Sequence, residues 1–196
     1  MKATEQTHPT TNLNGSFRSF ATAKEVYQHI RDISKHDNKE HVVRNFVCVI
    51  RDVSVDASTV ETELFPKAAL EFYTKKNMGW NYSQTEYDTW FLPERGGAQG
   101  DYRAGMQRKI ANVVDCLRNE PLSKRAVIPI PFNSEGSETA DWRDQGQNKC
   151  CRELHLYLED NLLKCTAIVR MQNANIFVKN IHFFATLIAH VASELG

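Results

Sequence analysis

Apolar and polar positions alternate most clearly between Cys150 and Val169. Leu154, Leu156 and Leu158 fall on one side of the pleat, and His155 and Tyr157 on the other, which predicts a half-buried strand. Glu159-Asp160-Asn161 predicts a turn, because Asp and Asn side chains bond their own backbone there. A second apolar run, Leu162 to Val169, then returns antiparallel. The pattern predicts a hairpin with a thiol at its entrance and Arg170 at its exit. Elsewhere the period is helical. Val26, Ile30 and Ile33 predict a helix over 22–34, and Leu70 and Tyr73 one over 64–76, with Pro66 tolerated in its first turn. Met106, Ile110, Val113, Val114 and Leu117 form one stripe over 106–119, stopped by Pro121. Phe184, Leu187, Ile188, Val191 and Leu195 predict a buried terminal helix. Residues 42–53 are rich in β-branched side chains on both faces, which predicts a strand covered on both sides, and 126–130 predicts another.

The connecting segments differ in character. Residues 1–20, rich in Thr, Asn and Ser, read as a mobile tail, leaving 21–196 as one domain. Residues 78–105 carry Gly79, Pro93, Gly96, Gly97 and Gly100 among aromatics and read as one long irregular segment, a kind that is more often functional than idle. Residues 133–148 are polar and rich in Gly and Ser, either a gate beside a site or a surface turn.

Composition narrows the classes. A chain of 196 residues with 41% hydrophobic content can bury a sizeable core. Lys plus Arg and Asp plus Glu balance at 24 each, which gives no electrostatic case for nucleic acid. No apolar run is expected to span a membrane, and no signal-type segment opens the chain. Five cysteines, an odd number without metal-type spacing, read as thiols of a cytoplasmic protein, with no metal site expected.

The candidate chemistry centres on the hairpin. A guanidinium fixed beside a thiol could orient a phosphorylated substrate over a nucleophile. Cys150 and Arg170 stand 20 positions apart, and upstream the helix over 106–119 runs into Glu120-Pro121-Leu122-Ser123-Lys124-Arg125. These two motifs, in this order, resemble those of thymidylate synthase and the related pyrimidine hydroxymethylases. That family carries a Cys and an Arg at the same interval, and an acidic-Pro-x-Ser-Arg-Arg phosphate motif before them. The resemblance runs from residue 64 to 190, most closely from Ile110 onward.

The resemblance implies an α+β fold, a thymidylate-synthase-like single domain. Its mixed β-sheet would hold about six strands, with helices on one side and a homodimer interface on the other face. It implies transfer of a one-carbon unit, methyl or hydroxymethyl, to C5 of a pyrimidine nucleotide monophosphate after Cys150 adds as thiolate to C6. Glu71 and Tyr102 would move protons. Lys124, Arg125 and Arg170 would hold the phosphate, the first two across the dimer. Asn180 would read the pyrimidine edge, with His155 among the substrate-binding residues. Trp90 and Asn173 would meet the carbon donor, 5,10-methylenetetrahydrofolate.

Plainer readings stand beside these: a solvent-facing helical Glu71, ordinary packing of Trp90, a solvated basic edge at Lys124 and Arg125. Departures from the family also stand. Lys124 replaces an Arg, Asn173 replaces an Asp, and Gly100-Asp101-Tyr102-Arg103 is not the usual Tyr-Gly pattern. No Arg-Thr-Gly loop is found, with Arg44 or Arg51 its nearest stand-ins, and no His-x-Tyr segment follows before Gly196. They leave open a divergent enzyme applying the same Cys chemistry to another heterocycle, and a non-catalytic nucleotide-binding homologue.

Overall fold

The computed structural model describes residues 18–34, 43, 45–96, 100–130 and 149–196. The loop at 133–148 and Arg44 lie outside the described residues, as do residues 1–17 of the expected tail. The last three residues of that tail are ordered as strand β1 (Arg18–Phe20), so the domain begins earlier than the sequence pattern suggested. In chain order there follow helix α1 (Ala23–Ser34), strand β2 (Cys48–Ile50), helices α2 (Lys67–Met78) and α3 (Gln84–Trp90), and a 3-10 turn at Pro93–Arg95. Then come α4 (Met106–Asn119), strands β3 (Val127–Pro129), β4 (Cys151–Glu159) and β5 (Leu162–Val169), and α5 (Ala174–Leu195). The result is a mixed α+β domain with two small sheets covered by helices. β1 and β2 pair in parallel, and β3-β4-β5 form an antiparallel sheet.

Among the described residues there is no single six-stranded sheet. The expected strand over 42–53 shrinks to three residues. Asn45 adopts φ +54°, which interrupts extension, and Val47 and Val49 remain 50% and 46% exposed rather than covered. Residues 78–105 also depart from the irregular segment expected. Ser83 caps α3 by accepting from Glu86 N at 3.1 Å, while the Glu86 carboxylate accepts from Ser83 N at 2.8 Å. This reciprocal box is a local start signal that overrides the surrounding glycines. α2 starts at Lys67 because Pro66 stands extended at its N-cap, and it ends where Gly79 takes φ +71°.

The hairpin follows its pattern closely. Asp160 and Asn161 both have positive φ, 53° and 59°, the geometry that two-residue turns need between twisted antiparallel strands. Leu156 pairs with Cys165 and His155 with Thr166. A register shift between Cys151 and Glu153 inserts one residue into β4. Strict alternation would put Cys151 and Leu154 on opposite faces, but the bulge brings both onto the core face, where each is fully buried.

Helix α5 is the centre of the molecule, packing against α1, α2, α4 and β5. Its apolar face, including Phe183, Phe184 and Leu187, meets Ile110, Val113 and Leu117 of α4 and Leu154 and Leu156 of β4 in one core. Among the described residues α5 is also the one helix long and apolar enough to cross a membrane by length and composition, contrary to the expectation that no such run exists. In this fold it serves as the core helix, and Lys179, Asn180 and His182 lie buried along it. His182 Nδ1 shares a hydrogen bond of 2.7 Å with Thr74 Oγ1 on α2.

Candidate active site

A cleft of about 430 Å³ opens between the first turns of α5, the turn around Pro93 to Gly96, and the entrance of the hairpin. Cys150, Tyr102, Asn173 and Asn180 all border it, although they come from three separate stretches of the chain. Each arrives for a local reason. The pairing of Cys151 with Val169 sets Cys150 opposite Arg170, and Arg170 N donates to Cys150 O at 2.9 Å. The 20-residue interval is thus the register of a hairpin closed at its open end. Because of the bulge, Cys151 turns into the core, where burial pushes its thiol up to about 12, while half-buried Cys150 borders the cleft.

Tyr102 is 2% exposed, and its backbone N–H donates to Asn77 Oδ1 at 3.0 Å. Burial raises its phenol well above the ordinary value, and the nearby thiols of Cys151 and Cys150 add to the effect. Asn180 Nδ2 donates to Gln172 Oε1 at 2.8 Å. Asn173 Oδ1 caps α5 by accepting from Asn175 N at 2.8 Å. Among the described residues Tyr102 Oη and Asn180 Oδ1 are buried without a hydrogen-bond partner of good geometry. Buried polar atoms are rarely left so, and two at one cleft mark positions where a ligand can complete the network.

The cleft also holds a residue that the sequence pattern did not single out. Lys179, on the first turns of α5, is fully buried and donates from Nζ to Arg95 O at 2.8 Å. Burial, reinforced by the Lys76 charge, lowers its amine to about 8, with Cys150 and Asp101 acting the other way. A lysine within an otherwise apolar helical stretch was the available signal, since such a side chain is seldom fully buried without a partner. Beside it, Lys76 pairs with Asp101 at 2.6 Å, and Arg103 adds a longer contact of 3.4 Å to the same carboxylate. Burial works to raise the Asp101 carboxyl, but the hydrogen bond and charge of Lys76 leave it below the usual carboxylate range.

The remaining expected site residues are dispersed. Arg170 is exposed at the hairpin mouth, where its Nε donates to Lys149 O at 3.1 Å. Glu71 is exposed on α2 and does not line the cleft. Trp90 packs against the Arg95 guanidinium, whose carbon lies 5.5 Å from its ring, and is also outside the lining. Lys124 borders a separate shallow hollow with His155 and Tyr157, on the sheet face turned away from the core. Arg125 is exposed and ion-paired with Glu120. Of the two residues assigned to a folate, Asn173 caps α5 at the cleft and Trp90 lies against a guanidinium outside the lining. Among the described residues no cluster of His, Cys, Asp or Glu is arranged to hold a metal. No protein-family model matches this sequence, and no curated protein is significantly similar to it.

Proposed function

We propose that the protein is an enzyme acting on a pyrimidine nucleotide monophosphate, in the manner of thymidylate synthases, with Cys150 adding to C6 of the ring. The observation that supports this most is that Cys150, Tyr102 and Asn180 meet in one cleft, where Tyr102 Oη and Asn180 Oδ1 are buried side by side without a hydrogen bond of good geometry among the described residues. A pyrimidine ring answers both needs. The N3–H of a uracil ring can donate to Asn180 Oδ1, and one of its carbonyl oxygens can accept from the Tyr102 hydroxyl, which burial keeps protonated.

In the reaction the Cys150 thiolate forms a bond to C6. The C5=C6 π bond breaks, and its electron pair is delocalised through C5 onto the oxygen at C4. C5 is then the nucleophile that a one-carbon transfer requires. C5 bonds to an electrophilic one-carbon donor, the C5 proton passes to solvent, and the C6–S bond breaks to release the thiolate and restore the double bond. Arg170, beside Cys150 at the hairpin mouth, holds the phosphate, and Lys124 and Arg125 serve the cleft of a second copy, since within one chain they lie away from this cleft. The positions of Glu71 and Trp90 favour a second reading, in which the same addition is made to a different electron-poor heterocycle.

The test uses the chemistry that needs no carbon donor. Reversible addition exchanges the C5 hydrogen with solvent. Each of dUMP, UMP, dCMP and CMP, deuterated at C5, is incubated with the protein, and loss of label is followed by NMR. Loss from one of them, abolished by Cys150→Ala, is expected. Retention of label in all four would remove the pyrimidine reading.

A further inference from the structure

Lys179 stands out from the other buried cations. The Lys76 ammonium meets a carboxylate, Asp101, at 2.6 Å. The buried Arg95 guanidinium donates to two backbone carbonyls, Leu64 O at 2.7 Å and Trp90 O at 2.9 Å, and stacks over aromatic rings. Lys179 has a single carbonyl, Arg95 O, and the face of the Tyr73 ring 4.7 Å below its Nζ, with no ion pair among the described residues. The chain is moulded around this amine. A Cβ at Gly96 or Gly100 would lie 2.8 Å or 2.5 Å from Nζ, so only glycine lets the backbone pass so close. An apolar side chain of the same length would fill this space without the desolvation penalty that a buried charge carries. Packing therefore does not account for the residue, and its position on the cleft wall with Cys150 does.

We infer that Lys179 is the charge partner of the Cys150 site, a buried ammonium that attracts the attacking sulfur and then the anion formed on the ring after addition. The groups facing it are Lys76 and Tyr73 from α2, Arg95 and Asp101 from the connecting segment, and Cys150 from the hairpin entrance. Of these, Cys150 and Asp101 favour the protonated amine and Lys76 opposes it. When the thiolate adds to C6, its negative charge passes to the ring, and the same buried ammonium remains beside it, held in place before the charge develops. The inference rests on Cys150 being the nucleophile of the cleft, but not on the identity of the substrate.

The experiment reads the thiol directly in the protein without substrate. Alkylation by iodoacetamide is followed residue by residue by mass spectrometry between pH 6 and 9. Cys150 labels ahead of Cys151 in the wild type. Lys179→Met, similar in length and neutral, slows Cys150 about tenfold at pH 7, as expected when the attacking sulfur loses a neighbouring positive charge. The same variant leaves Cys151 unlabelled, which reports an intact core. If Cys151 becomes labelled, the variant has opened, and Gly100→Ala takes its place, since it keeps the charge but displaces it. An unchanged Cys150 rate and pH profile in the folded variant overturns the inference. So does a faster reaction. Wild-type protein that shows this coupling yet leaves every C5 label in place would retain the pair and lose only the pyrimidine reading.

Discussion

At the scale of single residues, the most consequential placement is that of Arg170. It follows β5 directly, and its backbone is fixed by the bond to Cys150 O, so its side chain starts from a defined point at the hairpin mouth. A guanidinium can meet two phosphate oxygens at once, while an ammonium is a point charge. Arg170→Lys is therefore expected to weaken a nucleotide monophosphate by about ten- to a hundredfold, the equivalent of about 1.5–3 kcal/mol of charge-assisted bonding. The corresponding nucleoside should bind the wild type and the variant alike. Calorimetry with both ligands measures this, and equal affinity of the wild type for nucleoside and monophosphate would refute the phosphate role. The pairing of Cys150 with Arg170 was legible in the sequence because a hairpin converts a fixed interval into a contact. The roles of Glu71 and Trp90 were not, because a helical position gives no information about which wall of a cleft, if any, the helix supplies.

At the scale of elements, helix α5 concentrates the tension between stability and chemistry. Burial disfavours the charged amine without removing its proton at neutral pH, and the folded value of about 8 for Lys179 lies below the ordinary lysine value of 10.5. Below about pH 8 both folded and unfolded chains carry the proton, and the folded state bears the full penalty. As pH rises from about 8 towards 10.5, the unfolded chain binds more protons than the folded one, so this group's contribution to stability improves. Lys179→Met should accordingly be more stable than the wild type at pH 7, by on the order of 1–3 kcal/mol. The gap should narrow by pH 10. Tyr102, Cys151 and Cys165 shift in the opposite sense, but they are present in both proteins and drop out of the difference. Urea unfolding of the pair at pH 7 and pH 10 gives the result, and a gap that widens with pH would show that the amine is not held in this way.

The elements that the sequence foretold best were those specified by local pattern alone. α4 occupies the residues that its apolar stripe marks, α1 begins one residue inside its expected range, and the Asp160-Asn161 turn sits where its side chains favour it. α3 was equally local but hidden, since its signal is the Ser83–Glu86 box rather than an apolar stripe, and none of its residues is buried. The division into two sheets could not be read at all, because strand partners are chosen by contacts distant in sequence.

At the scale of the whole molecule, one face of the β3-β4-β5 sheet is turned away from the core. It carries His155 and Tyr157, with Ile168 49% and Leu162 62% exposed, and Lys124 stands at its edge. If Lys124 and Arg125 complete the cleft of a second copy, the protein sediments as a dimer at micromolar concentration, and Lys124→Glu with Arg125→Glu weakens the monophosphate. A monomer that binds the nucleotide with full affinity would end the proposal that one copy serves another. The central position of α5 has a different consequence. The same helix carries Lys179 and Asn180 at the cleft and Phe183, Phe184 and Leu187 in the core. Its amides cannot exchange with deuterium by a local fluctuation of the binding site alone, because opening its first turns also exposes the interior. Exchange in the stretch from Val178 to Ala185 is therefore set by rupture of the entire fold, and a molecule seated in the cleft slows deuteration along the helix, well beyond the residues it touches.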